Sequence, residues 1–161
     1  MSAVAQSNKE LVGRWLAVGP WTEEGRAMVT PDFVWQAPRS EADLFGSPDA
    51  ALHGPDELRG LPAIDKAVYA DFAVAGTNSA NTVMIAEGDL VMMEFEAKFT
   101  THTGEPYHNY YVFVIRVEDG KIAELREHAD TKYFDEVVMG TPEKRAAVFD
   151  RLARLRTEEH A

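Results

Sequence analysis

Four side chains that can take up or release a proton occur on two of the predicted β-strands. Glu127, His128 and Asp130 end one strand, and Glu96 lies on an earlier one. Because strand side chains alternate between faces, His128 and Asp130 share a face. Carboxylates and an imidazole gathered in a partly apolar pocket shift each other's pKa and can move protons on and off carbon. We therefore predict general acid–base chemistry, with Asp130 as the central proton-transfer residue.

Each candidate also has a structural role open to it. Asp130 precedes a short polar stretch and can cap a helix there. Glu127 can form a surface or dimer-interface salt bridge with Arg126 or Arg116. His128 can make a structural hydrogen bond, and Glu96 can be solvated. The sequence leaves these alternatives open.

Three further residues are candidates to line a pocket for a substrate: Trp35, Asn109 and Tyr111. Asn109 or Tyr111 can donate a hydrogen bond to an oxyanion that develops on the substrate. Three histidines lie in or near predicted turns, where we expect them to be exposed: His53, His102 and His108. They lack metal-ligand spacing, and no phosphate loop or dinucleotide fingerprint occurs, so we expect neither a metal nor a cofactor.

Composition limits the class of protein. The 161 residues carry a net charge of -11, with 27 acidic against 16 basic side chains, which argues against nucleic acid or anionic membranes as partners. The chain has no cysteine and is 45% hydrophobic. It shows neither a signal-peptide layout nor an apolar run of about 18 residues. We expect one cytoplasmic domain over residues 1–161, with a helical tail from about residue 141.

The elements that must position these residues centre on a three-stranded meander. Strands are predicted over residues 90–101, 107–117 and 121–130, separated by turns that contain Gly104 and Gly120. Helices are predicted over 7–18, 21–29 and 62–75, and short strands over 33–36 and 82–86. Residues 37–61, rich in Pro and Gly, are predicted to form an irregular loop that acts as a mobile lid.

This element order predicts the α+β class, with helices covering one face of a curved antiparallel sheet to form a cone-shaped pocket. The meander carries apolar residues on both faces. We therefore expect the second sheet face to pack on a partner subunit as a homodimer.

Three segments carry a family resemblance: Tyr107-x-Asn109-x-Tyr111, Asp119-Gly120-Lys121-Ile122 and Arg126-Glu127-x-x-Asp130-Thr131. They resemble the SnoaL-like polyketide cyclase group of the ketosteroid isomerase and nuclear transport factor two superfamily. The resemblance implies an α+β cone, usually homodimeric through the sheet. It also implies an acid/base role for Asp130, as in SnoaL-type cyclases, and for Glu127, as in phenazine biosynthesis proteins of the A/B type.

Together these observations predict a pocket for a small hydrophobic molecule. The expected activity is that of a cofactor-free isomerase, cyclase or dehydratase acting on a hydrophobic carbonyl-type substrate. The alternative is a non-catalytic ligand-binding or assembly domain of the same fold.

Overall fold

The computed structural model describes residues 2–71 and 79–158, with the side chains of residues 79–81 left aside. Its longer helices are α1 (Ala3–Val18), α2 (Glu23–Ala27), α5 (Leu61–Val68) and α7 (Pro142–Glu158). Single-turn helices are α3 (Ala42–Phe45), α4 (Gly54–Glu57) and α6 (Thr131–Phe134), with 3-10 turns at Arg39–Glu41 and Leu58–Gly60 and a π-helical turn at Asp135–Met139. The strands are β1 (Val29–Gln36), β2 (Ala51–His53), β3 (Ser79–Glu87), β4 (Leu90–Thr100), β5 (Pro106–Glu118) and β6 (Lys121–Ala129).

The six strands form one mixed sheet in the order β2-β1-β6-β5-β4-β3. All neighbours are antiparallel except β1 and β6, which are parallel and place Trp35 opposite Leu125. The predicted meander is confirmed as β4, β5 and β6, which pair in sequence order. The predicted α+β class, with a curved sheet and packed helices, is also confirmed.

The two sheet faces have different surroundings. On β4 and β5, the odd-numbered residues from Val91 to Ala97 and from Tyr107 to Val117 are buried on the inner face, against α1 and α5. The even-numbered residues are exposed or half-buried on the outer face. A register shift between Arg116 and Val117 changes the alternation at the start of β6.

Capping side chains explain where the first two helices begin. Ser2 accepts the backbone N–H of Ala5, so α1 begins at Ala3 rather than at residue 7 as predicted. Thr22 accepts the N–H of Gly25 and caps α2.

The prediction of an irregular loop over residues 37–61 is wrong. This segment folds into the single-turn helices α3 and α4, two 3-10 turns and strand β2, which pairs with β1. Leu52 and Leu58 are buried in the core, and Leu44 and Phe45 turn toward the sheet. Proline and glycine mark breaks between short elements here, and the apolar residues hold those elements to the body of the protein. Mobility of the segment stays a prediction.

The C-terminal helix α7 packs against α5. Val148 and Leu152 are buried, and Arg151 Nε donates a 2.6 Å hydrogen bond to the carbonyl oxygen of Lys66. Helix α7 therefore packs on α5 and helps to hold it in place. In the described part of the chain, no helix is long and apolar enough to cross a membrane.

Candidate active site

A cavity of about 190 Å³ lies between the inner sheet face and the helices. Its walls are aromatic and aliphatic, and Trp35 and Phe113 meet edge-to-face with ring centroids 5.7 Å apart. The described residues that line it are Leu16, Pro20, Trp21, Trp35, Glu41, Leu44, Phe45, Leu61, Ile64, Asp65, Val68, Tyr69, Met93, Phe95, Ala97, Phe99, Tyr111, Phe113, Glu127 and Phe134. The cavity therefore suits a small hydrophobic molecule.

Three carboxyl groups interrupt this apolar lining. Glu127 comes from β6, Asp65 from α5, and Glu41 from the turn that follows β1. They arrive from three parts of the chain far apart in sequence. Since a carboxyl group in an apolar wall resists ionisation, their convergence is the main chemical feature of the cavity.

Burial raises the pKa of all three groups. It raises the pKa of Asp65 to about 8, with the negative charge of Glu127 adding to the effect. Burial raises the pKa of Glu41 to about 8, with further contributions from the charges of Glu127 and Asp65. Burial raises the pKa of Glu127 only to about 7, because a hydrogen bond from Trp35 favours its carboxylate. The ionisation of each of the three groups therefore depends on the others, and Glu127 is the one whose carboxylate the Trp35 hydrogen bond favours.

Trp35 fixes the carboxyl group of Glu127. The indole Nε1 donates a 2.9 Å hydrogen bond to Glu127 Oε2. Trp35 itself is held between the rings of Trp15 and Phe113. Trp35 and Glu127, both named from the sequence, lie in the cavity lining, and their roles stay predictions.

Tyrosine hydroxyl groups form a second polar feature. The Tyr107 and Tyr111 hydroxyl oxygens lie 2.8 Å apart, and those of Tyr111 and Tyr69 lie 3.4 Å apart. Burial raises the pKa of Tyr107 to about 12 and raises the pKa values of Tyr69 and Tyr111 well above the usual range. All three tyrosines therefore stay protonated and act as hydrogen-bonding groups.

Asn109 occupies a different place from the one predicted. It is 2% exposed and is not among the described residues that line the cavity. Its Nδ2 donates to the Tyr107 hydroxyl at 2.8 Å and to the carbonyl oxygen of Asp130 at 3.1 Å. Asn109 therefore contacts the Tyr107 hydroxyl and the backbone, and it does not face the cavity.

The structure does not bring Asp130, His128 and Glu96 together in the cavity. The prediction that these side chains form one cluster in the pocket is therefore wrong. The Asp130 carboxylate accepts the backbone N–H of Tyr133 at 3.0 Å and caps α6. Glu96 lies on the outer sheet face, where His108 and Lys98 contact its carboxylate. Alternation along β4 places Glu96 on the face away from the cavity, and Asp130, which follows the last residue of β6, directs its carboxylate to the start of α6.

His128 also lies on the outer side. It lines a second, shallower cavity of about 360 Å³ that also includes Arg39, Arg126, Glu127 and Thr131. Glu127 is thus the one predicted acid–base residue that borders both cavities among the described residues.

The other histidines differ in exposure. His53 and His108 are exposed, as predicted, and each contacts a carboxylate. His102 is half-buried instead, and burial lowers its pKa. Among residues 2–71 and 79–158, no group of three His, Cys, Asp or Glu side chains is arranged to hold a metal ion.

Sequence reasoning missed Glu41 and Asp65. Glu41 fell in the segment taken for a loop. Asp65 did carry a signal, because Leu61, Ile64, Asp65 and Val68 have the spacing of one helical stripe. An acidic residue on an otherwise apolar stripe indicates a buried carboxyl group.

An α+β cone with acidic groups inside an apolar cavity defines a class of small-molecule pocket proteins. A model of the SnoaL-like domain matches residues 19–125, and the chain belongs to this family. A comparison with curated proteins finds no match.

Solved structures with the same fold cover most of the chain. An NTF2-like protein of unknown function from Burkholderia pseudomallei K96243 superposes with a TM-score of 0.66 at 20% identity, covering 85% of this chain and 98% of that one. A protein from Jannaschia sp. CCS1 assigned to the SnoaL-like polyketide cyclases gives 0.65 at 17% identity, covering 88% and 98%. The BvnE pinacolase from Penicillium brevicompactum gives 0.64 at 22% identity, covering 91% and 96%. At these identities the similarity establishes the fold.

Proposed function

We propose that this protein is an acid–base enzyme that moves protons at a carbon next to the carbonyl group of a small hydrophobic substrate, with no cofactor. The observation that carries the proposal is the convergence of Glu41, Asp65 and Glu127 in an apolar cavity. Their raised pKa values provide both a base and neutral acids near neutral pH.

Glu127 is the base in this proposal. It ionises most easily of the three groups, and the Trp35 N–H holds its carboxylate in place. The carboxylate takes a proton from the carbon beside the carbonyl, and the C–H electron pair moves to form an enolate. Because the walls exclude water, the carboxylate is not stabilised by solvation and accepts the proton more readily.

The acids Asp65 and Glu41 and the Tyr111 hydroxyl supply hydrogen bonds to the enolate oxygen. Asp65 and Glu41, with pKa values of about 8, remain mostly protonated at pH 7. A neutral carboxylic acid in an apolar site can donate a hydrogen bond to developing negative charge.

The next step decides among three related reactions. Return of the proton to a different carbon gives an isomerase. In a cyclase, the enolate carbon attacks a second carbonyl and forms a carbon–carbon bond. The C=O electron pair moves to that oxygen, which takes a proton from Asp65 or Glu41. Loss of a neighbouring hydroxyl, which leaves as water with a proton from Asp65 or Glu41, gives a dehydratase. Two of the structural relatives carry the enzyme names SnoaL-like polyketide cyclase and pinacolase, which supports an enzyme acting on a small molecule.

A non-catalytic ligand-binding or assembly domain is the second candidate. That role favours a cone filled by its own side chains. Although Leu44 and Phe45 from the segment after β1 do enter the wall, a cavity of about 190 Å³ remains, with the three acids at its surface. An open cavity with acids of raised pKa supports the enzyme instead.

Exchange of carbon-bound hydrogen for deuterium tests the proposal. The protein is incubated with β-tetralone or indanone in D₂O, and loss of the proton signal next to the carbonyl is followed by NMR. We expect exchange faster than in buffer, and Glu127→Gln should lower the enzymatic rate by about 10²-fold or more.

The matched control is Glu94→Gln, which makes the same change on the exposed outer face of β4. It should leave the rate unchanged. Ketones that bind in the cavity without accelerated exchange would contradict the enzyme and favour the non-catalytic candidate.

A further inference from the structure

Asn109 has its side-chain orientation fixed by the backbone. Its Oδ1 accepts the N–H of Tyr110 at 2.8 Å, and its Nδ2 donates to the carbonyl oxygen of Asp130 at 3.1 Å. A backbone N–H can only donate and a backbone carbonyl can only accept, so the amide cannot be turned the other way. The second Nδ2 hydrogen therefore points to the Tyr107 hydroxyl, 2.8 Å away.

This orientation decides the direction of the next hydrogen bond. The Tyr107 oxygen accepts from Asn109, and its one hydroxyl hydrogen can go to either of two neighbouring hydroxyl groups, Tyr111 or Tyr69. The 2.8 Å distance to the Tyr111 oxygen is ideal for an O–H···O hydrogen bond and favours Tyr111 as the acceptor. The Tyr111 oxygen is then an acceptor toward Tyr107 and must turn its own hydrogen elsewhere. Asn109 and Tyr107 are 2% and 1% exposed, so water does not compete for these groups.

The Tyr111 hydrogen has two directions open to it. One leads to the Tyr69 hydroxyl at 3.4 Å, which is long for an O–H···O hydrogen bond. The other leads into the cavity, since Tyr111 lines it. A ligand oxygen at an ordinary distance competes well against the long contact.

We infer that Asn109 acts as a positioning residue, which through Tyr107 directs the hydroxyl hydrogen of Tyr111 into the cavity toward an accepting oxygen of the ligand. The inference rests on the proposed function and adds a property of its substrate. The ligand atom at Tyr111 is a hydrogen-bond acceptor, such as a ketone oxygen, rather than a donor.

The sheet register relates this donor to the base. Tyr111 pairs with Ala129 and Phe113 pairs with Glu127, so Tyr111 and Glu127 are diagonal neighbours on the inner face of adjacent strands. Such neighbours lie roughly 7–8 Å apart along the sheet. Burial and the neighbouring tyrosines raise the pKa of Tyr111 most, and the nearby charge of Glu127 raises it further. A ketone oxygen held by Tyr111 therefore brings its adjacent carbon toward Glu127.

Two matched ligands test the inference: α-tetralone, whose ketone oxygen only accepts, and tetralin, the same skeleton without the oxygen. Asn109→Asp replaces the Nδ2 donor with an acceptor of similar shape. Tyr107 then donates to the introduced carboxylate, and Tyr111 turns its hydrogen toward Tyr107 and away from the cavity. We expect α-tetralone to bind roughly 3- to 10-fold more weakly, the effect of one lost hydrogen bond, with tetralin binding unchanged.

The infrared band of the bound ketone gives a second readout that packing damage does not imitate. In the wild-type protein the carbonyl stretch should shift to lower wavenumber because it accepts a hydrogen bond. Tyr111→Phe and Asn109→Asp should both return the band toward its position in an apolar solvent. Tyr110→Phe, a neighbouring tyrosine on the outer face that is 57% exposed, is the matched control and should change nothing.

Where Asn109→Asp fails to fold, Tyr107→Phe takes its place. Without the Tyr107 hydroxyl, the Tyr111 hydroxyl is no longer held in one orientation. The infrared band of the bound ketone should therefore broaden. An unshifted band in the wild-type protein, or equal weakening of both ligands by the variant, would overturn the inference. If Glu127→Gln still abolishes exchange in that case, the proposed function survives. Failure of the wild-type protein to bind either ligand would overturn both.

Discussion

Trp35 and Glu127 lie 92 positions apart in the chain, and their side chains are joined by a 2.9 Å hydrogen bond from Nε1 to Oε2. The contact depends on the one parallel strand pair of the described sheet, because β1 runs beside β6 with Trp35 opposite Leu125. Glu127 is two residues further along β6, on the same face. The strand pairing thus sets the tryptophan beside the acid.

Replacing Trp35 with phenylalanine should change the ionisation of Glu127. Trp35→Phe keeps an aromatic ring but removes the donor that lowers the pKa of Glu127. We expect the acidic limb of the pH–rate profile for ketone exchange to move upward by about one unit. Met93→Leu, at another position in the same wall, is the control and should leave the limb in place. An unchanged limb in Trp35→Phe would show that another group is the base.

Removing the Asp65 carboxyl group should stabilise the protein at high pH. The folded-state pKa is raised to about 8, so the folded protein keeps this proton when the unfolded chain has lost it. Its contribution to stability is therefore complete below about pH 4 and is lost as the pH rises toward 8.

The measurement for Asp65 compares thermal melting at pH 4 and pH 8.5. The quantity compared is the Tm of Asp65→Asn minus the Tm of the wild-type protein. This difference should be about 4 °C or more larger at pH 8.5 than at pH 4. Asp32→Asn, on the exposed part of β1, should show no such dependence. A constant difference at both pH values would argue against the raised pKa.

The fold was predictable wherever local chemistry decided it. Gly104 and Gly120 have positive φ angles in the two turns, so the boundaries of the meander followed from turn chemistry. The element structure of residues 37–61 was not predictable, because its single-turn helices form against the core and lack a pattern of their own. The third helix, predicted over residues 62–75, ends at Val68, because Tyr69 takes an extended conformation. The rest of the predicted helix, from residue 72, lies outside the described residues.

The site was predictable only in part, because its residues meet through tertiary structure. Glu127 and Trp35 were named from sequence, whereas the partners Glu41 and Asp65 come from elements whose burial no short motif signals. Asn109 pairs with Ala97 on the inner face, so it could not share a cluster with Glu96 of the outer face. Assigning faces needs the register between strands, which a single sequence does not supply.

Two substitutions test whether Asp130 only caps α6 or also takes part in proton transfer. Its carboxylate caps α6, and asparagine caps helices about as well as aspartate. We therefore expect Asp130→Asn to keep both stability and ketone exchange, and Asp130→Ala to lose about 1 kcal/mol of unfolding free energy. Denaturant melts and the exchange assay measure the two effects. A loss of about 10²-fold in exchange by a folded Asp130→Asn protein would restore the acid–base role first expected for Asp130.

The segment 37–61 should open when a ligand enters. Leu44 and Phe45 line the cavity, and the chain beyond them turns at Gly46 with a φ angle of 69°. We expect amide hydrogens of α3 to exchange faster than those of β5, and to slow when α-tetralone is bound. Equal protection of α3 and β5 without ligand would rule out a mobile lid.

The outer sheet face should form a homodimer. It exposes Val83, Ile85 and Met92, which are 58%, 60% and 44% exposed, together with Tyr110. Ile85 pairs with Met92 and Met92 pairs with Val114, so apolar side chains run across three adjacent strands, β3 to β5, with Glu94 and Glu96 beside Val83 and Tyr110. Monomers seldom leave a large apolar area open to water. Sedimentation velocity at micromolar concentration should therefore detect a dimer. Ile85→Lys should dissociate it, since a charge buried in such an interface lacks a partner. Val4→Lys, at an equally exposed position on α1, should leave it intact. A wild-type protein that sediments as a monomer under these conditions would contradict the expectation.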